Sequence, residues 1–298
     1  MEIAYKNVTF DEIKTELFTQ KGVQVFVLRL DKIHNTISGN KFFKLYYYQQ
    51  ECLQTEHKTL LTFGGAFSNH LAATAYSCKI NGLKSIGIIR GEAPKILSHT
   101  LQACEADGMR FHFMSRNDYK NKLQIEAIKL KFGDCTIVPE GGFGKLGANG
   151  ASLIFDYLKD KNVSHICTAV GTATTLSGLL QTSSHLQKII AVPVLKNMID
   201  IEERILELTG KSFPKKLDIF FDFHFGGYAK HNNELTNFMN KLYLQFLLPT
   251  DFVYTAKMMY AVFNKIENNY FVKGSKIVCI HTGGLQGNLS LPTGTLIF

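Results

Sequence analysis

The chain of 298 residues contains no tryptophan and only six prolines. Aromatic packing therefore rests on 23 phenylalanines and 12 tyrosines, and no proline-rich stretch offers a stiff linker between units. Nothing approaches the run of about 20 apolar residues that a membrane-spanning helix needs. Residues 1–10 lack the basic start and apolar stretch of a secretory signal. The cysteines at 52, 78, 104, 135, 167 and 279 form no CxxC pair, so neither a zinc site nor a disulfide framework is expected. They are expected instead as free thiols in a reducing compartment. These absences point to a cytoplasmic, soluble protein with no metal and no membrane partner.

What is present fits an ordinary globular chain: 45% hydrophobic and 19% charged residues. The net charge of +8 comes from lysines spread along the whole length. Lys215-Lys216 is the one paired cluster, so no nucleic-acid partner is expected, and an anionic metabolite is the better match.

Short apolar runs at 23–30, 59–63, 85–89, 110–114, 136–138, 165–169, 189–194 and 276–280 read as strands. Longer amphipathic stretches at 41–54, 69–80, 99–106, 120–131, 148–161, 175–184, 232–247 and 255–269 read as helices. The alternation predicts an α/β fold of open, twisted, mostly parallel sheets covered by helices. Glycines cluster where strands end, at Gly64-Gly65, Gly141-Gly142, Gly171 and Gly283-Gly284. In open sheets, ligands collect at such ends, because glycine lets backbone approach them closely.

Five segments carry chemistry. In Ser38-Gly39-Asn40-Lys41-Phe42-Phe43-Lys44-Leu45 a lysine stands at a helix start, where the positive end of the helix and nearby phenylalanines favour the neutral amine. A capped helix with a solvent-facing lysine fits the same residues. In Phe63-Gly64-Gly65-Ala66-Phe67-Ser68-Asn69-His70 a glycine turn opens a helix whose first amides suit a carboxylate or phosphate. Ser68 or Asn69 as a plain cap, with His70 structural, is the alternative. Gly171-Thr172-Ala173-Thr174-Thr175 follows a strand and opens a helix, a cup for a monophosphate. It lacks the GK[ST] ending of a triphosphate loop and the GxGxxG dinucleotide pattern. The last two segments are Tyr254-Thr255 and His281-Thr282-Gly283-Gly284, polar groups at element boundaries.

Taken in order, these segments resemble the family of 1-aminocyclopropane-1-carboxylate (ACC) deaminases and D-cysteine desulfhydrases. Those are pyridoxal 5'-phosphate (PLP) enzymes of fold type II, the tryptophan synthase β-like fold. The likeness runs from about Asp31 to His281, densest at 38–45, 60–73, 86–92 and 139–142. The resemblance implies that Lys41 is the Schiff-base lysine and later the proton-transfer base. It implies that Asn69 bonds the cofactor's phenolic oxygen and that Gly171, Thr172, Ala173, Thr174 and Thr175 hold its phosphate. Ser68, with the amides of Ser68, Asn69 and His70, then faces the substrate carboxylate and reacting carbon. Tyr228 and Tyr254 lie near the substrate, Tyr254 among the catalytic residues, and Thr255 partners the pyridine nitrogen.

ACC deaminases resemble one another in carrying a glutamate at the position of Thr255. A neutral threonine gives a milder electron sink, suited to a good leaving group such as sulfide. The resemblance thus implies a lyase that takes D-cysteine to pyruvate, sulfide and ammonia. Deamination of ACC to 2-oxobutyrate is the runner-up, and a PLP- or phosphometabolite-binding protein without turnover the third reading. A larger domain is expected from 1–47 and 157–298, with a smaller α/β domain from 48–156 inserted in it. The family also implies a homodimer. One departure stands out: Leu285-Gln286-Gly287-Asn288 lacks the proline and apolar residues expected after Gly284.

Overall fold

A computed structural model describes residues 7–34, 36–120 and 124–298 of the chain. Residues 121–123 of the helix expected at 120–131, and the first six residues of the N-terminal stretch, lie outside it. The larger sheet contains β1 (Phe10–Ile13) and β2 (Gln24–Arg29), and the smaller one β3 (Thr59–Gly65), β4 (Lys84–Arg90), β5 (Met109–Met114) and β6 (Thr136–Val138). The chain then returns to the larger sheet for β7 (His165–Val170), β8 (Lys188–Pro193), β9 (Leu217–Ile219) and β10 (Lys276–His281).

Strand order is β1-β2-β10-β7-β8-β9 in one sheet and β5-β4-β3-β6 in the other. All pairs are parallel except β1 with β2. The helices are α1 (Glu16–Lys21), α2 (Asn40–Leu53), α3 (Asn69–Ile80), α4 (His99–Ala106), α5 (Arg116–Lys120) and α6 (Gln124–Phe132). They continue with α7 (Lys145–Ser152), α8 (Thr174–Thr182), α9 (Ile201–Thr209), α10 (Asn233–Phe246) and α11 (Thr255–Glu267).

The fold class expected from the alternation is the one found, and the central strands are apolar because both faces are covered. Two strands escaped the pattern. In β1, Asp11 and Glu12 break the apolar run, yet Phe10 stacks on Phe26 at 4.8 Å and Ile13 is buried. Charges in an edge strand discourage pairing with another chain. β9 is only three residues long. Helix α9 also went unread, although Ile201, Ile205 and Leu208 form its buried face.

One core joins the two sheets. Leu28 and Ile280 from the larger sheet, Phe43 and Leu45 from α2, and Leu60 and Val138 from the smaller sheet belong to a single buried cluster. Cys52, Cys78, Cys104, Cys167 and Cys279 are buried free thiols, and Cys135 is half-buried. Among the described residues, no helix is long and apolar enough to cross a membrane.

The expectation of a helix at 148–161 needs correction. The helix starts at Lys145, ends at Ser152, and gives way to a 3-10 turn at Leu153–Tyr157. Glycine content hid the true start, since glycine is a poor helix former in isolation. Tertiary packing reverses that preference. A Cβ on Gly150 would stand 2.0 Å from the Phe43 carbonyl oxygen of α2, and one on Gly178 of α8 2.6 Å from the Ser152 amide nitrogen. The glycines let α2, α7 and α8 meet backbone to backbone, which places the start of α2 beside the start of α8. Gly150→Ala would gain helix propensity, but it collides with fixed backbone. It should destabilise the protein by about 1–3 kcal/mol, seen as a Tm several degrees lower in thermal unfolding followed by circular dichroism. An unchanged or raised Tm would show that the helices can separate without cost.

Candidate active site

The C-terminal ends of the parallel strands and the starts of α2, α3, α8 and α11 surround a cavity of about 1000 Å3. Its lining includes Lys41, Ser68, Asn69, His70, Gly171, Thr172, Ala173, Thr174, Thr175, Tyr228 and Tyr254. Segments from both ends of the chain, from Lys41 to Tyr254, thus meet in one place. Thr255 is the exception: it is fully buried and does not reach the lining.

The lysine turn is set by backbone contact. β2 and β10 run parallel with Arg29 opposite His281, so the turns leaving them lie side by side. Asn40 N donates to Thr282 O at 3.3 Å. Gly39 has φ 66°, and a Cβ there would fall 1.9 Å from that same oxygen, so only glycine fits. Beneath the turn, Arg29 Nε and NH2 donate to the two oxygens of Asp31 at 2.8 and 2.7 Å. His281 Nε2 bonds the Pro249 carbonyl at 2.7 Å, which puts the proton on that nitrogen and leaves Nδ1 to accept from Gly283 N.

From this turn a polar chain crosses the cavity wall. Lys41 Nζ donates to Asn40 Oδ1 at 3.0 Å, and Asn40 Nδ2 donates to Thr175 Oγ1 at 2.8 Å. Thr175 belongs to the first turn of α8, whose free amides point at the cavity. Thr172 and Thr174 share a hydroxyl–hydroxyl bond of 2.9 Å. Ala173 takes φ 63°, a left-handed value that bends the loop around its own amides.

Lys44 was not singled out in the sequence, yet it lies in this cup. Its Nζ donates to Gly141 O at 3.1 Å and Thr172 Oγ1 at 3.4 Å. The signal was available, since Lys44 follows Lys41 by three residues and shares its helix face. Burial lowers the pKa of Lys41 to about 8, while the charge of Asp251 pulls it up. Burial, then repulsion from Lys41, holds Lys44 well below the ordinary lysine value. Two lysine side chains with threonine hydroxyls and a helix start make an anion cradle, and a bound anion would favour their charged forms.

On the opposite wall, Ser68 caps α3 by accepting from Leu71 N at 3.3 Å, and it also lines the cavity. The plain-cap reading of Ser68 is thus observed, and the cap stands in the cavity wall. Asn69 donates to Gly284 O at 3.4 Å, and its Oδ1 is buried without a partner among the described residues. His70 is 3% exposed. Thr62 gives its single proton to Val138 O at 2.8 Å, so it must accept from His70 Nε2, also at 2.8 Å. Burial, with Lys41 and Lys44 nearby, holds His70 well below the usual imidazole pKa. Its ring is a neutral donor from Nε2 into the wall, and Nδ1 is buried without a partner among the described residues.

The floor is organised by Asp251, a residue that the sequence pattern does not single out. Its carboxylate accepts from the amides of Val253 (3.0 Å), Tyr254 (2.8 Å) and Thr255 (2.8 Å), capping α11, and from Thr255 Oγ1 at 2.6 Å. The atypical segment after Gly284 serves the same turn. Asn288 Oδ1 accepts from Phe252 N at 3.2 Å, and its Nδ2 donates to Thr250 O at 2.9 Å. The polar residue replaces apolar packing with a two-point clamp. Lys41 Nζ sits 5.8 Å from the centre of the Tyr254 ring, and Tyr228 meets that ring at 6.1 Å and 72°.

No family model matches the chain. A Pyrococcus abyssi protein, provisionally named 1-aminocyclopropane-1-carboxylate deaminase, is 27% identical over 293 residues, covering 89% of this chain and 86% of its own length. A mitochondrial Arabidopsis thaliana protein, named as a bifunctional D-cysteine desulfhydrase/1-aminocyclopropane-1-carboxylate deaminase, is 26% identical over 302 residues. It covers 89% of this chain and 73% of its own length. The chain is thus similar over most of its length to proteins that carry the ACC deaminase and D-cysteine desulfhydrase names.

A solved ACC deaminase homologue superposes with a TM-score of 0.79 at 23% identity, covering 97% of this chain and 92% of its own. A PLP-dependent aspartate racemase gives 0.69 at 14% identity, covering 93% and 90%. The fold is therefore that of PLP-dependent fold type II enzymes. The residues present fit that cofactor. The Thr172–Thr175 cup with Lys44 suits a phosphate, Lys41 offers an amine, and the orphaned Asn69 Oδ1 stands at the start of α3 in the same cavity wall.

The lysine chemistry is directly measurable. Labelling of Lys41 by an amine-directed reagent, followed by peptide mass spectrometry across pH, should show a midpoint at about 8. The neutral amine reacts, so labelling rises with pH. Asp251→Asn removes the charge that favours the ammonium form and should move the midpoint lower. A midpoint that stays put or rises would count against Asp251 acting on Lys41.

Proposed function

We propose that this chain is a PLP-dependent lyase that converts D-cysteine to pyruvate, sulfide and ammonia. One observation carries the reading: Lys41, its pKa lowered to about 8, is joined through Asn40 to Thr175 in the anion cradle at the start of α8. Reactive amine and phosphate site are held by a single short polar chain. Bound PLP supplies an electron sink for the charge left when a bond to the substrate's α-carbon breaks.

The chain's own residues do the rest. Thr172, Thr174, Thr175, the α8 amides with Gly171 and Ala173, and Lys44 would hold the phosphate. Asn69 would meet the phenolic oxygen. Ser68 and the amides of Ser68, Asn69 and His70 would hold the substrate carboxylate at the positive end of α3. Lys41 as neutral amine takes the α-proton, and the lowered pKa makes that form accessible near neutral pH. Tyr254 lies close enough to the Lys41 ammonium for its ring face to steady it, and with Tyr228 it would flank the departing group.

Thr255 supports the choice of D-cysteine. Its proton goes to Asp251 and its oxygen accepts from the Asp251 amide at 2.8 Å, so it has at most one lone pair of a neutral oxygen left for a ring nitrogen, from behind the cavity wall. It cannot keep that nitrogen charged as a glutamate would, and the milder sink suits loss of sulfide. Deamination of ACC is the second reading, favoured by the names of the archaeal relative and of the solved homologue. A protein that binds PLP or another phosphometabolite without turnover lacks support from the lysine geometry. With the function goes the proposed division into a larger domain, 1–47 and 157–298, and an inserted domain, 48–156. A homodimeric, cytoplasmic protein is part of the same proposal.

PLP-loaded protein given D-cysteine should release pyruvate and sulfide, and given ACC it should release no 2-oxobutyrate. The reverse result would reject the argument from Thr255. Lys41→Ala should lose both the visible absorbance of lysine-bound cofactor and at least three orders of magnitude of turnover, roughly the scale of losing an essential nucleophile or base. Turnover equal to the parent protein would reject Lys41.

A further inference from the structure

Lys257 lies on α11, two residues beyond Thr255, and none of its surface is exposed. It does not line the cavity. Lysine is among the residues least often buried completely, because its ammonium must replace water with other acceptors. Here Nζ donates to the carbonyls of His224 at 2.8 Å and Gly227 at 2.7 Å. Burial lowers its pKa to about 8, and the charge of Asp251 opposes the shift.

Those two carbonyls bracket an unusual turn. Phe225, Gly226, Gly227 and Ala229 all have positive φ, at 51°, 90°, 118° and 53°. The two that are not glycine are in a region that L-residues seldom adopt. Within the turn, Gly227 N donates to His224 O at 3.0 Å and Gly226 N to His224 Nδ1 at 3.0 Å. Tyr228 follows, 47% exposed yet part of the cavity lining. Its ring meets Tyr254, with a side-chain hydrogen bond between the two, and the backbone that carries it there follows two glycines. Lys257 ties it to the first turn of α11, the turn that Asp251 caps and that begins at Tyr254.

We propose that Lys257 is a positioning residue whose ammonium pins the 224–227 turn to α11 and so sets the separation of Tyr228 from Tyr254 over the cavity. The proposal rests on the reading that both tyrosines flank the substrate. Its chemistry needs no contact with substrate or cofactor. The constraint passes through two carbonyl oxygens and a helix turn.

The test uses PLP-loaded protein in a double-mutant cycle with Lys257→Met, Tyr228→Phe and the pair, read as kcat and KM for D-cysteine. Lys257→Gln, which keeps an amide donor, is carried in parallel in case the methionine variant folds poorly. Lys257→Met should lower kcat/KM by about tenfold, chiefly through KM. Adding Tyr228→Phe should then cost nothing further, because the hydroxyl is already displaced. Hydrogen exchange of the amides at 226–230 gives a second readout that needs no turnover. Protection there should fall in Lys257→Met while the amides of β7 and β10 keep theirs. Additive losses in the cycle would overturn the proposal, and so would parent-like protection of the turn. If the parent protein turns over no substrate, the functional reading fails, and hydrogen exchange alone then decides whether Lys257 holds the turn.

Discussion

The arrangement depends on one buried carboxylate. Asp251 has no exposed surface, and an unpaired charge in such a place would cost several kcal/mol. It is compensated by three backbone amides and the Thr255 hydroxyl, and by the positive end of the helix that those amides begin. Lys41 and Lys257 feel the same charge from the two sides of the floor. Gly284 has no side chain because a Cβ there would press Asn69 at 2.9 Å and the Asp251 carboxyl at 3.4 Å. The turn at 251–255 is thus the fixed point against which the lysine turn, the Asn69 amide and the Tyr228 turn are set.

The second constraint is mutual repulsion at the start of α2. Lys41 and Lys44 stand one helical turn apart, both lining the cavity. Their proximity, with burial, lowers the pKa of Lys44, and the same environment favours an anion between the helix starts. A phosphate held by Thr172, Thr174 and Lys44 would relieve that repulsion while leaving Lys41 free as an amine. Binding and reactivity would then be coupled through charge alone.

Much of this was readable from residue patterns. The strand–glycine–helix junctions at 63–70 and 169–175 are local signals, since unsatisfied amides at a helix start are a property of the backbone. Lys41 was ambiguous locally, because a capped helix with a solvent-facing lysine uses the same residues. The order of the motifs along the chain favoured the reactive lysine. Lys44, Asp251 and Lys257 were passed over for one shared reason. Each acts through partners far away in sequence, Gly141 and Thr172 for Lys44 and the 224–227 turn for Lys257, or through a cap that any aspartate before a helix might make.

Sequence alone determined the fold class, the helix starts that face the cavity and the residue types available there. Apolar period, glycine position and capping are short-range effects of sterics and backbone hydrogen bonding. Tertiary structure decided which of two lysines meets the threonine cup and that Ser68 is cap and wall at once. It also decided that Thr255 stands behind the lining and that a glycine-rich stretch is helix. Each of these follows from close packing of backbones brought together across long loops. Burial and distance between charges then exist only in three dimensions, and they set the protonation of the groups that the sequence merely names.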